Sequence, residues 1–174
     1  MAESWKADVR FSELGRGPVS RRLVADEEAR RRIALELGLE AILEFAAQVT
    51  AKPWHDGAEV EGDWSATITQ ICSGTADPFD SELAGRFTVR VLPPASANAP
   101  EEAAEIAVDP DAEDPPDVAG SDQIDLAAYV VEHLALEIDP FPRKPGAVFT
   151  PPEEPEEMSP FAVLRQFKPR GEDG

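Results

Sequence analysis

Three stretches of the chain alternate apolar and polar residues with a period of two. Residues 43–51, LEFAAQVTA, put Leu43, Phe45, Ala47, Val49 and Ala51 on one side of an extended backbone, against Glu44, Ala46, Gln48 and Thr50. Residues 60–69 set Val60, Gly62, Trp64, Ala66 and Ile68 against Glu61, Asp63, Ser65, Thr67 and Thr69. Residues 83–91 set Leu83, Gly85, Phe87, Val89 and Val91 against Arg86, Thr88 and Arg90. Strict alternation describes strands with one buried and one wet face. The turn-forming stretches PWHDGAE and SGTADPFD separate the runs, so neighbours are predicted to pair antiparallel. Glycine inside a strand marks a bulge or bend, so Gly62 and Gly85 are expected to curl the sheet towards a barrel-like shape.

Two stretches have helical period instead. In DEEARRRIALELG, Asp26 is a candidate N-cap, and Glu27 and Glu28 lie in the first turn, where the helix dipole favours them. Glu27 with Arg31 and Glu28 with Arg32 are i,i+4 pairs in the favourable order. Ala29, Ile33 and Leu37 form the apolar stripe, and Gly38 ends the helix. In DQIDLAAYVVEHLAL, Asp122 is the candidate cap, with Ile124, Ala127 or Ala128, Val131, Leu134 and Ala135 at helical spacing. PVSRRLVA, before the first helix, reads as an edge strand. The fold class is therefore α+β: a curved, mainly antiparallel, partly barrel-like sheet with two principal helices.

Residues 93–121 break the pattern. They carry six prolines, no basic residue, and EIAV as their only strand candidate. This is expected to be a long acidic insertion, mobile and largely disordered. An extended C-terminal segment, residues 139–174, follows the second helix; its prolines rule out a helix interior, and SPFAVLRQFK reads as a final turn or two of helix. The 174 residues fit a single domain spanning 1–174 with these extensions.

Charge adds polarity along the chain. The net charge is −19, yet eight of the sixteen basic residues lie between Lys6 and Arg32, and none lies between Arg90 and Arg143. Such a surface repels phosphate on average, which argues against a general nucleic-acid binder. The segregation suits a partner that is part anionic and part basic, such as a ribonucleoprotein, although single-sign runs are more often simply solvated. No apolar run approaches the roughly 20 residues of a membrane span, and MAESWKADVRF has no signal-peptide core. One cysteine forms no internal disulfide. A soluble cytoplasmic protein is expected.

Candidate chemistry is sparse. Cys72 continues the inward series Ala66, Ile68, Gln70, and a buried unpaired cysteine packs as a small hydrophobe. His55 and His133 have no metal-site spacing to it, so no metal or cofactor is expected. There is no phosphate loop, no His-Glu-x-x-His and no nucleophile elbow. Trp5, Trp54 and Trp64 are scattered, so no aromatic platform for single-stranded RNA is visible. The candidate binding residues are basic: Arg10, Arg16, Arg21 and Arg22 in or beside the edge strand, and Arg143 and Lys144 on the stiff FPRKPG. The first set either guards an edge or meets phosphate or an acidic partner; the second either docks or is a solvated connector.

Taken in order, LVADEEARRRIALELGL, WSATITQICSGTADPF, FTVRVLP, DQIDLAAYVVEHLALEIDPFPRKPGAVF and SPFAVLRQFK resemble the YceD family of large ribosomal RNA subunit accumulation proteins, in its alphaproteobacterial form. The likeness runs from about residue 23 to residue 168. Many members carry Cys-x-x-Cys followed by an acidic residue and proline; here Cys72 holds the first position, Thr75 the second, and Asp77 and Pro78 follow. With the second thiol replaced, no paired-thiol metal or redox role carries over, and the family offers no catalytic residues. The resemblance implies a non-catalytic ribosome-assembly factor supporting accumulation of 23S ribosomal RNA. Its expected partners are precursor large-subunit ribosomal RNA or a pre-ribosomal particle, a basic ribosomal protein, or both; no membrane and no small-molecule substrate is expected. The alternatives are a thiol-dependent hydrolase using Cys72 with a nearby histidine, or a protein–protein adaptor unrelated to ribosomes.

Overall fold

The computed structural model describes residues 5–99 and 114–148. Its first elements are β1 (Asp8–Arg10), the single turn α1 (Phe11–Leu14), β2 (Val19–Val24) and α2 (Glu27–Leu37). Three long strands follow, β3 (Ala41–Trp54), β4 (Gly57–Ile71) and β5 (Pro78–Leu92). Short β6 (Asp117–Val118) and β7 (Gln123–Asp125) precede α3 (Leu126–Glu137). The main sheet has the order β2-β3-β4-β5-β6, antiparallel except for the parallel β5–β6 pair, and β1 pairs with β7 in a separate ribbon. The class is α+β, as expected, but the sheet is open: β2 and β6 are its edges, and it does not close into a barrel.

The two strand glycines explain part of that correction. Neither is bulged: Gly62 pairs with Phe87 and Gly85 with Trp64 in unbroken register. A methyl on Gly62 would lie 2.4 Å from the Phe87 ring, and one on Gly85 would lie 2.7 Å from the Trp64 ring. The glycines are there because cross-strand aromatic rings lie flat over them. The one register shift falls in β3 between Ile42 and Glu44, so Leu43, expected on the inner side, is turned outwards.

On the inner face Phe45, Val49, Val60, Trp64, Ile68 and Phe87 are buried under Ile33 and Ala34 of α2 and Leu126, Val130 and Leu134 of α3. Burying each large apolar side chain contributes about 1.5–3 kcal/mol. The outer face is a solvated ladder: Arg86 pairs with Asp63 at 2.7 Å and Arg90 with Glu59 at 3.3 Å. The Arg86–Asp63 pair is exposed and the Arg90–Glu59 pair half-buried; exposed pairs contribute about 0.2–1 kcal/mol, so the helix-covered face holds the fold.

Helix α2 forms much as its sequence dictates, although among the described residues only Glu27–Arg31 of the two expected ion pairs is made, and Glu28–Arg32 is not. The Asp26 side chain accepts the Ala29 N–H at 2.8 Å, Glu27 meets Arg31 at 2.7 Å, and Gly38 sits at φ 67°. Helix α3 corrects the expected start. Gln123 and Asp125 are committed to pairing with β1, so Ile124 is buried in a strand and the helix begins at Leu126. Asp125, not Asp122, is its cap, accepting the Ala127 N–H at 3.0 Å and also the Ala7 N–H at 3.0 Å. Part of the expected loop is likewise ordered. Asp117 and Val118 extend the sheet beside Val91 and Leu92, and the Tyr129 hydroxyl donates to Asp117 at 3.0 Å. Burial, then Asp117 and Glu132, push the Tyr129 pKa up and keep it a donor. EIAV and SPFAVLRQFK lie outside the described residues.

Candidate functional site

Strands β4 and β5 are joined by the turn 72–77, which carries the cysteine. The Cys72 N–H donates to the Asp77 carbonyl at 2.8 Å, and the Ala76 N–H to the Cys72 carbonyl at 2.8 Å. Closing so short a loop places Ala76 at φ 59°, a left-handed conformation that non-glycine residues seldom adopt. Pro78 opens β5 opposite Ile71. The chain leaving α3 then straps across this turn. The Ser73 N–H donates to the Pro142 carbonyl at 2.8 Å and its hydroxyl to the same oxygen at 3.0 Å. Gln70, the one buried polar side chain among the described residues, donates to the Asp139 carbonyl at 3.2 Å. The Lys144 N–H reaches the Cys72 sulfur at 3.4 Å.

Cys72 is therefore a structural junction, 1% exposed. The Thr75 hydroxyl first, then the Lys144 N–H, lower its pKa from 9.0 to about 7, against the opposing effect of burial. No imidazole contributes to that shift. His55 stands in the turn at the far end of β4, edge-on to Trp54 at 4.4 Å, and His133 lies flat on the Phe87 ring at 4.3 Å. Phe87 pairs with Gly62, ten residues up β4 from Cys72, or roughly 30 Å along the strand. A hydrolase needs the thiol open and a base in hydrogen-bond reach; here the thiol is covered and both histidines are engaged elsewhere. Among the described residues no cluster of three His, Cys, Asp or Glu side chains is placed to hold a metal.

The basic candidates divide into two groups. Arg10 ends β1, and Arg16 follows α1, its N–H on the Glu13 carbonyl at 3.1 Å. Arg21 and Arg22 alternate on edge strand β2, beside Val49 and Gln48. Arg143 and Lys144 project from the strap at the Cys72 end of β4, whereas the row of Arg21 passes through Val49 to Gly62, near the middle of β4. Among the described residues none of the six makes an ion pair. Sequence reasoning missed Gln70, Ser73, Phe141 and Pro142, which fix the strap. The only signal was Gln70, a polar residue in the inward phase of an apolar strand.

A family model described as "Large ribosomal RNA subunit accumulation protein YceD" matches residues 60–168, spanning β4, the turn, β5, α3 and the strap. The chain belongs to the YceD family. No curated protein and no solved structure matches it. In this YceD protein the matched region starts at β4, later than the resemblance from residue 23 suggests, and so leaves out the arginines of β1 and β2. Arg143 and Lys144 fall inside it. No helix among the described residues is long and apolar enough to cross a membrane.

Proposed function

We propose that this YceD protein is a non-catalytic ribosome-assembly factor that supports accumulation of large-subunit ribosomal RNA by binding precursor RNA, a basic ribosomal protein, or both. The observation that carries the reading is the family match over the turn and strap. Its physical support is the sign-segregated surface. Arg143 and Lys144 stand on a segment already held by the bonds to Ser73, Gln70 and Cys72, so little chain entropy is lost when they dock. The acidic stretch between Arg90 and Arg143 offers a basic protein the opposite charge. The enclosed thiol has a packing role in this reading.

The test is association with pre-ribosomal particles. Tagged protein is expected to copurify with large-subunit precursors at low salt and to dissociate steeply as salt rises. Cells lacking the chain are expected to hold less large-subunit than small-subunit ribosomal RNA, restored by Cys72→Ser. R143A/K144A is expected to fold normally and bind more weakly. Absence from the particles, with unchanged ribosomal RNA ratios, would refute the proposal.

A further inference from the structure

Strand β6 covers only Val91 and Leu92, so most of β5 is itself an edge of the sheet. On that side the Leu92 carbonyl accepts the Ala119 N–H at 2.8 Å, and the register with β4 is unbroken from Val91 back to Pro78. In a regular strand the backbone groups of every second residue point to the same side. The N–H and C=O groups of Asp80, Glu82, Ala84, Arg86 and Thr88 therefore point away from β4, along the open edge. Among the described residues none of them bonds to another segment. Residues 80–88 run for roughly 30 Å, and an open edge of this length is a template that another strand can extend.

The geometry points to a second copy of this chain as the occupant, its β5 antiparallel to the first, with Ala84 against Ala84 across a two-fold axis. Pro78, which has no N–H, limits the edge at one end; Asp114 and Pro115, which share a cleft with Thr88 and Arg90, limit it at the other. Ala84 lies midway between Pro78 and Arg90. Charge selects the occupant. The side chains of Asp80, Glu82, Ala84, Arg86 and Thr88 are exposed, and their sign turns from acidic to basic at Ala84. An inverted copy therefore sets Glu82 against Arg86 on both sides of the axis, and Asp80 against Thr88. Glu82 makes no ion pair among the described residues, and Arg86 meets Asp63 at 2.7 Å through Nε alone, which leaves guanidinium N–H groups to donate. On the other face half-buried Leu83 comes beside Gly85 of the copy, large against small. Edge strand β2 has the opposite character. Arg21 and Arg22 stand in its middle, so a copy paired there would bring arginine against arginine.

The chain pairs with itself through β5 and joins two five-stranded sheets into one, whether or not the ribosomal reading holds. Sedimentation equilibrium of the full-length chain is expected to show a dimer that weakens as salt rises. Glu82→Arg and Arg86→Glu each set like charges against each other on both sides of the axis, so each variant alone is expected to dimerise roughly tenfold more weakly or worse. Mixed together, the two variants restore both contacts and are expected to form a heterodimer. Hydrogen exchange gives a second reading. The amides of Glu82, Ala84 and Arg86 are expected to slow as the wild-type concentration rises, while those of Leu83 and Gly85, turned towards β4, stay constant. A monomer at the highest concentration reached overturns the proposal. So does a dimer that both single variants leave intact, or a mixture that stays apart while circular dichroism shows both chains folded. Slow exchange at Glu82, Ala84 and Arg86 in a monomer overturns it too, because another segment of the same chain would then hold that edge.

Discussion

At one end of β4 the chain reverses through His55 and Asp56; at the other it needs the six residues 72–77 and a strap from beyond α3. The first end is closed by its own strands. Gly57 lies so near β5 that a methyl on it would meet the Val91 carbonyl oxygen at 2.1 Å, and Asp56 accepts from Ser96 at 3.0 Å and Asn98 at 2.9 Å. The amide of Asn98 and the hydroxyl of Ser96 hold the Asp56 pKa below its ordinary value. The second end takes its order from residues 139–144, far away in sequence. One end is thus fixed as soon as β3 to β5 pair, while the other waits for α3 to pack. The strap can loosen without costing the sheet its register.

Gly57→Ala tests that contrast most severely. The obstacle is backbone and cannot rotate away, so a loss of about 3 kcal/mol is expected, or roughly 10 °C in a thermal melt. A change near zero would mean that this end yields as easily as the other. Gln70→Ala removes the buried donor to Asp139 and leaves a small void; about 2 kcal/mol is expected from denaturant titration, with exchange at 139–144 accelerating and that at Gly57 unaffected. Equal acceleration at both ends would erase the distinction. Ser73→Ala keeps the backbone bond to Pro142 but loses the hydroxyl, for about 0.5–1.5 kcal/mol, read by the same titration and confined to the strap.

The smallest effect is a dependence on pH. The folded Cys72 thiol, at about 7, lies below the 9.0 of a free thiol. Between those values the unfolded chain binds more protons than the folded one, so stability rises with pH through this window and levels off above it. Melting curves of the wild type and Cys72→Ser from pH 6 to roughly pH 9.5 are expected to diverge as pH increases. Parallel curves would show that Thr75 and Lys144 do not favour the thiolate.

How far the sequence reaches follows the same division. The ends of helix α2 were legible because its cap and terminal glycine lie within a dozen positions, though Glu28 and Arg32 do not form the second expected pair. The three long strands and the inward phase of Cys72 were legible from alternation alone. The β1–β7 ribbon was not, since three-residue strands more than a hundred positions apart leave no periodic trace, and its pairing moved the cap of α3 from Asp122 to Asp125. The bulge at Leu43 left none either. At the strap, Pro142 and Asp139 act through backbone carbonyls, which every residue possesses, so only Gln70 carried a readable hint. The barrel-like expectation fails because glycine in a strand need not bend it: here a ring on the neighbouring strand needs the room.

That arrangement has a consequence for how the chain finds its native state. Gly62 faces Phe87 while, two residues on, Trp64 faces Gly85. A misalignment of two residues in one direction forces Trp64 against Phe87; in the other it leaves two glycines opposite each other and a hole between them. Either error parts each ring from the glycine that makes room for it, so the covering helices meet their matching surface only in the native alignment.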